Sequence, residues 1–345
     1  KELPRDVKPG DLLLLNDGLI VLTVESVRGE QVHTTVKVGG ELSNNKGINK
    51  QGGGLTAPAL TGKDMEDIKT AMSFQADYLA VSFPKNATDM EMARQLANVA
   101  GAEYKHKPGL IAKIERAEAI PLLDEILRAS DGIMVARGDL AVEVGNAAVP
   151  ALQKRMIKLA REHDKVVITA TQMMESMIDR VKPNRSEITD VANAVLEGAD
   201  ALMLSGETAV GNHPTLVIET MTRIILEVEA KAYYYNRDEM LRPQAHSPSL
   251  LSDAICYNAC KLAEDVNAEA IIGMTQSGYT GFMLSSYRPK APVYVFTKKR
   301  HLVNQLSLSW GVRAFFYDEE ESLDDIVADQ IDILKERGFV KEGDV

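Results

Sequence analysis

The sequence predicts an α/β protein: a small all-β module, a parallel sheet wound as a barrel wall, and a doubly wound α/β unit. Two observations carry the barrel part of this expectation. From Leu55 onward, apolar runs of strand length alternate with helical periodicity across short connections, the pattern of a parallel sheet. Four of these runs, Leu110 to Glu115, Asp131 to Leu140, Val166 to Gln172 and Ala201 to Glu207, each end in a polar or charged cluster. Catalytic groups in such domains sit where strands end, because loops there vary while the sheet holds them in place. Polar chemistry confined to strand ends therefore favours a barrel over an open sheet, although periodicity alone fits both.

Residues 1 to about 50 lack helical periodicity. Asp11 to Leu15, Leu19 to Val27, Val32 to Val38 and the stretch near Ile48 read as short strands. Turns at Asn16-Asp17-Gly18, Arg28-Gly29-Glu30 and Gly39-Gly40 separate them. Asn44 to Gly47 and then Gly52-Gly53-Gly54 form a flexible exit, where three successive glycines imply a hinge or a close backbone approach.

In the middle, Lys63 to Phe74 is expected as a helix with Thr61 as its N-cap. Strands follow at Tyr78 to Phe83, Leu110 to Ile114, Gly132 to Ala136, Val166 to Thr171 and Ala201 to Leu204. Helices fill the gaps at Ala87 to Ala100, Ala117 to Ala129, about Ala148 to His163 and Ser186 to Glu197, with a long one from Pro214 to about Tyr233. Tyr233 to Ser249 is polar and irregular and reads as a boundary. Beyond it, Leu250 to Val266, Thr280 to Tyr287, His301 to Leu308 and Leu323 to Arg337 read as helices. They alternate with strands at Ala270 to Met274, Val293 to Thr297 and Val312 to Tyr317, and Gly338 stops the last helix.

Composition narrows the function. A length of 345 residues calls for two or three domains, and 45% apolar with 26% charged residues is ordinary for a globular chain. A formal charge of −11 argues against nucleic acid or an anionic membrane as the main partner. The two cysteines, Cys256 and Cys260, are spaced i and i+4 on an apolar helix face and read as buried thiols. No apolar run nears the roughly 20 residues of a spanning helix, and no signal peptide opens the chain, so the expected compartment is the cytoplasm. His33, His106, His163, His213, His246 and His301 show no ligand spacing.

Lys113 and Glu115 are two apart at a strand end and so project to one face. Glu115 and Asp139 end strands adjacent in order. Two carboxylates in a water-poor site repel, and a divalent cation removes that conflict. Mg²⁺ takes one or two carboxylates and leaves its other positions to substrate oxygens and water. Lys113 adds a point charge for a phosphoryl or enolate oxygen. The alternative is a solvated strand rim with a surface salt bridge; Thr171 and Ser205, at further strand ends, weigh against it. Gly138 lets an anion approach the free N–H groups of a short helical turn, or else simply makes a tight turn. Thr275 to Gly281 links a strand to a helix N-terminus, which suits either a phosphate cradle or an N-capping loop.

Several stretches together resemble pyruvate kinase: Leu110 to Glu115 (LIAKIE), Met134 to Leu140 (MVARGDL), Ile168 to Met177 (ITATQMMESM) and Met203 to Thr208 (MLSGET). Asn184 to Glu187, Asp190 to Val195 and the opening Asn16-Asp17-Gly18-Leu19-Ile20 look like the same family. The similarity covers essentially the whole chain. It implies a (β/α)₈ TIM-type barrel, partial here, with an inserted β lid at 1–54, barrel strands four to eight at 55–235 and a regulatory α/β domain at 236–345. It also implies Mg²⁺- or Mn²⁺-dependent phosphoryl transfer from phosphoenolpyruvate to ADP, in a cytoplasmic homotetramer.

By this resemblance, Lys113 matches the lysine that stabilises the transferring phosphoryl group and the enolate, and Glu115 and Asp139 match the metal ligands. Gly138 and Asp139 match the backbone that receives the substrate carboxylate, and Thr171 matches a substrate-contacting threonine. Ser205 looks like a residue near the proton path, while Lys46 and Asp17 look like lid residues near the nucleotide. Thr275, Ser277, Gly278 and Thr280 would form the phosphate loop for a sugar-phosphate or nucleotide effector. The family's first three barrel strands, its phosphate-contacting arginine, its K⁺ ligands and its last C-terminal strand have no counterpart here. The sequence is therefore expected to be an incomplete record of a longer protein. Rival readings are another Mg²⁺-enolate barrel enzyme, such as a C–C lyase or a phosphoenolpyruvate mutase, and an inactive remnant that only binds sugar phosphate.

Overall fold

A computed structural model describes residues 2–16, 18–44, 46–231, 243, 249–318 and 322–345. The first unit opens with a short helix α1 (Leu3–Asp6), which the sequence pattern did not foretell. Four strands follow, β1 (Leu12–Leu15), β2 (Ile20–Arg28), β3 (Gln31–Val38) and β4 (Ile48–Lys50). They form an antiparallel sheet in the order β3-β2-β1-β4, with Leu14 opposite both Val21 and Asn49. Alternation along β1 and β2 sends Leu13 and Val24 inward, where they pack with Val7.

The second unit is five parallel strands, β5 (Tyr78–Val81), β6 (Gly109–Ile114), β7 (Gly132–Ala136), β8 (Val166–Ala170) and β9 (Ala201–Met203), in chain order. Its helices are α2 (Gly62–Ser73), α3 (Ala87–Gly101), α4 (Leu123–Ala129), α5 (Arg137–Val144), α6 (Val149–Glu162), α7 (Arg185–Glu197), α8 (Gly206–Ala209) and α9 (Pro214–Glu229). Each strand-helix-strand step moves one place in the same direction, so the order never reverses, which is how a barrel wall winds and an open doubly wound sheet does not. Side chains divide accordingly. Leu110, Ala112 and Ile114 pack outward with Leu123, Ile126 and Leu127 of α4 and Met156, Ile157 and Ala160 of α6. Ile111, Met134, Ile168 and Ala170 cluster on the inner face, so Lys113 and Glu115 continue the inward-facing row.

Caps set the helix starts. Thr61 and Asp64 make a capping box at α2, and Asn184 and Glu187 make another at α7. The expected helix from Ala117 is split: residues 117–122, which include Pro121, form a 3₁₀ turn, and α4 begins only at Leu123. The helix α9 ends at Glu229, short of the expected Tyr233, and the boundary read at Tyr233 to Ser249 lies almost wholly outside the described residues.

The third unit contains α10 (Leu250–Asp265), β10 (Ile271–Met274), α11 (Tyr279–Ser286), β11 (Val293–Thr297), α12 (Arg300–Leu306), β12 (Val312–Phe316) and α13 (Leu323–Glu336). Its parallel sheet runs β10-β11-β12 and carries helices on both faces. Cys256, Cys260, Met283, Leu284 and Leu306 cover Val293 and Val295, while Leu334 lies with Tyr294, Phe296 and Phe315 on the other side. Both cysteines are free and buried, and burial pushes their thiols up to about 11 and about 12.

This unit docks on the end of the barrel wall where the strands begin. Tyr78 donates its hydroxyl to the Gln305 carbonyl at 2.9 Å. Arg288 bonds the Gly198 carbonyl at 2.7 Å and Asp200 at 2.9 Å, and Trp310 Nε1 donates to Glu229 at 2.7 Å. The opposite, C-terminal ends of the strands are left to the candidate site. Among the described residues no helix is long and apolar enough to cross a membrane.

Candidate active site

Three strand ends and one helix build the site. At the end of β6, Lys113 Nζ lies 2.7 Å from Glu115 Oε1 and donates to Ser82 Oγ, just past β5, at 2.9 Å. Glu115 is 1% exposed, and its Oε2 accepts the Phe83 N–H at 2.8 Å. Burial pushes this carboxyl above the usual carboxylate range; Lys113 pulls it back down, and the negative charge of Asp139 pushes it further up. That last influence places Asp139, in the first turn of α5, within electrostatic reach of Glu115. A buried carboxylate beside a second carboxylate and a lysine is a hard-oxygen donor set that suits a divalent cation. Among the described residues no cluster of three or more His, Cys, Asp or Glu side chains could hold a metal by itself. An ion at Glu115 and Asp139 would complete its shell from substrate and water.

Gly138 and Thr171 meet across β7 and β8. The Gly138 N–H donates to Thr171 Oγ1 at 2.9 Å, and the Thr171 hydroxyl donates to the Ala170 carbonyl at 2.7 Å. A Cβ on Gly138 would stand 3.7 Å from Thr171 Oγ1, so the missing side chain leaves an open approach to this face of α5. Thr171 and Gln172 both take left-handed backbone angles, φ +67° and +54°, which cost free energy for side-chain-bearing residues. Arg137 holds that turn: Nη2 bonds the Thr171 carbonyl at 2.6 Å, while Nη1 pairs with Asp190 at 2.6 Å.

Ser205 is half-buried one strand further on. Its N–H donates to Glu207 Oε2 at 2.8 Å, and Glu207 Oε1 accepts the Met174 N–H at 3.1 Å, so the turns after β8 and β9 share one buried carboxylate. Lys46 is exposed in the first unit and has no side-chain bond to these groups, and Asp17 lies outside the described residues. The neighbouring Gly18 is close to the site's floor, since a Cβ there would be 3.6 Å from Val142 of α5. Thr275, Ser277, Gly278 and Thr280 lie apart, in the third unit. The Gly278 N–H bonds Thr275 Oγ1 at 2.9 Å, and the Tyr279 N–H bonds Ser277 Oγ at 3.3 Å.

Sequence reasoning missed Ser82, Phe83, Glu143 and the Arg137–Asp190 pair. Glu143 sits one helical turn after Asp139 and is 4% exposed. It accepts the Ala117 N–H at 2.8 Å, and its carbonyl accepts the Gly52 N–H at 2.8 Å. The i, i+4 spacing of two acids on one short helix was the available signal.

Residues 1–218 match the family model for the pyruvate kinase barrel domain, and residues 253–345 match that for the pyruvate kinase alpha/beta domain. The chain belongs to the pyruvate kinase family. Pyruvate kinase II of Salmonella typhimurium is 44% identical over 351 residues, covering 100% of this chain and 71% of that protein. The pyruvate kinases of Haemophilus influenzae and Mycobacterium tuberculosis are each 41% identical over 100% of this chain, covering 72% and 71% of their own lengths. Membership in the pyruvate kinase family makes the chain a phosphotransferase of glycolysis that depends on a divalent metal.

Proposed function

We propose that this chain transfers the phosphoryl group of phosphoenolpyruvate to ADP, giving pyruvate and ATP, at the end of the strand bundle formed by β6, β7 and β8. The observation that carries the reading is Glu115. It is a carboxylate 1% exposed, with Lys113 at 2.7 Å and the Asp139 charge nearby. Glu115 and Asp139 would hold Mg²⁺ or Mn²⁺, with K⁺ as a monovalent partner; the divalent ion supplies charge neutralisation on the transferring group. Lys113 holds a compact positive charge beside the phosphoryl and enolate oxygens. The open face over Gly138 and Asp139 receives the substrate carboxylate, and Thr171, held in place through Arg137, contacts the substrate. Ser205 stands near the path of the proton that converts enolate to pyruvate. Lys46 and Asp17 serve the nucleotide from a β lid that closes over α5 and excludes water.

The same reading divides the chain into a lid at 1–54, a catalytic barrel portion at 55–235 and a regulatory unit at 236–345. Thr275, Ser277, Gly278 and Thr280 would cradle the phosphate of a sugar-phosphate or nucleotide effector. The assembly is a cytoplasmic homotetramer. A coupled assay with phosphoenolpyruvate tests the activity: pyruvate formation that requires both ADP and a divalent ion is expected. Pyruvate release without nucleotide would favour a lyase instead.

A further inference from the structure

Arg116 follows Glu115 directly and opens the 3₁₀ turn at 117–122. It is 7% exposed, which is rare for a guanidinium, and among the described residues its Nε has no hydrogen-bond partner. Two other groups hold the side chain. Nη1 donates to the Leu55 carbonyl at 2.8 Å, and the guanidinium carbon stands 5.6 Å from the centre of the Phe83 ring. A cation that close to an aromatic face is attracted by it, more strongly where water is excluded.

These two partners belong to different parts of the molecule. Leu55 leads out of the first unit, and its side chain packs on that unit's core of Val7, Leu13 and Val24. Phe83 lies in the turn after β5 at φ +56°, a strained angle for a residue with a side chain. Its N–H donates to Glu115 Oε2 at 2.8 Å, and the preceding Ser82 accepts from Lys113. Arg116 thus bridges the core of the lid and the turn that fixes the Glu115 carboxylate. Glu143 makes a second link, from the Gly52 N–H to the Ala117 N–H. That link ends at the backbone beyond Arg116, whereas Arg116 reaches the ring beside Glu115.

We infer that Arg116 is a positioning residue that couples the lid to the metal site. Through Phe83 it steadies the Glu115 carboxylate, and through the Leu55 carbonyl it holds the strap by which the lid joins the barrel. The inference rests on the reading that Glu115 holds the divalent ion. Coupling between two sites is reciprocal, so binding at Glu115 tightens the strap by the same factor as a docked lid tightens that binding.

Hydrogen–deuterium exchange over residues 51–56 of the whole chain, with and without saturating Mn²⁺, reads the coupling. In the wild type Mn²⁺ should slow exchange there by at least about fivefold, the lower end of typical coupling between sites. Arg116→Met keeps an apolar stem against Phe83 and removes both the bond to Leu55 and the charge. The Mn²⁺ effect should fall below about twofold, while paramagnetic resonance still shows the ion bound at saturation. Arg116→Lys keeps a cation near the ring and should recover part of the effect. Arg116→Gln takes the place of Arg116→Met if the latter impairs folding. Faster exchange in the variant with an undiminished Mn²⁺ effect makes Arg116 a packing residue and overturns the inference. A wild-type strap indifferent to Mn²⁺ also overturns it. If turnover then still requires ADP and a divalent ion, the proposed function stands without the coupling; if turnover is absent as well, both fall.

Discussion

Lys113 Nζ lies 2.7 Å from Glu115 Oε1, and these two side chains come from positions i and i+2 of one strand end. The lysine compensates a carboxylate that is 1% exposed, and it also presents charge to the open side of the site. Lys113→Met keeps the length of the chain and removes the charge. We expect turnover to fall by at least about a thousandfold, the order expected when a preorganised charge is lost from a transition state. The circular dichroism spectrum should not change. Activity within about tenfold of wild type would remove Lys113 from the chemistry.

Gly138 separates folding from function cleanly. It sits in the first turn of α5, and a Cβ there meets nothing closer than Thr171 Oγ1 at 3.7 Å. Alanine is a better helix former than glycine by roughly 0.5–1 kcal/mol, so Gly138→Ala should leave stability to urea equal or slightly raised. The added methyl group occupies the approach to the helix face. The KM for phosphoenolpyruvate should rise by about tenfold, as one lost close contact would give. An unchanged KM would place the substrate carboxylate elsewhere.

These two residues also show what was legible beforehand. Lys113 and Glu115 continue the period-two row of β6, and Gly138 and Asp139 follow directly on the neighbouring β7, so their proximity followed from strand order. Phe83, at φ +56°, and the Thr171-Gln172 turn were not legible, because local propensity argues against left-handed angles there. Long-range bonds hold them: Phe83 N–H to Glu115 spans 32 positions, and Arg137 to the Thr171 carbonyl spans 34. The Pro121 split of the helix after Glu115 was readable from the residue itself and was missed as a boundary. The Asp200–Arg288 pair that docks the third unit joins positions 88 apart, beyond any periodicity argument.

Glu143 gives a pH-dependent prediction. Burial raises its carboxyl above the usual 4.5; the charge of Glu118 adds to this, while the Ala117 N–H and Arg116 oppose it. A folded-state value above the unfolded one means that the group contributes most below about pH 4.5, and that this contribution is lost as pH rises through the folded value. Glu143→Gln keeps an acceptor for the Ala117 N–H and cannot ionise. Wild type and variant should therefore differ in their pH profiles, with the variant gaining in urea midpoint between about pH 4 and about pH 7. A constant difference across that range would show that Glu143 titrates normally.

The glycine strap leading out of the lid offers the last test. Gly53 has φ +78°, and a Cβ there would stand 2.8 Å from Glu118 Oε2, while Glu118 Oε1 accepts the Gly54 N–H. Gly53→Ala thus meets two separate penalties, a left-handed angle costing roughly 1–2 kcal/mol and a clash with a partly buried carboxylate. The double variant Gly53→Ala/Glu118→Ala retains the first and relieves the second. Because Gly52 is bonded to the Glu143 carbonyl on α5, displacing the strap should loosen the lid without disturbing β6 or β7. Limited proteolysis between residues 41 and 54 is expected to accelerate in Gly53→Ala, with a raised KM for ADP. The double variant should recover part of both effects. If Glu118→Ala restores nothing, the strain lies in the backbone alone, and the carboxylate does not position the lid.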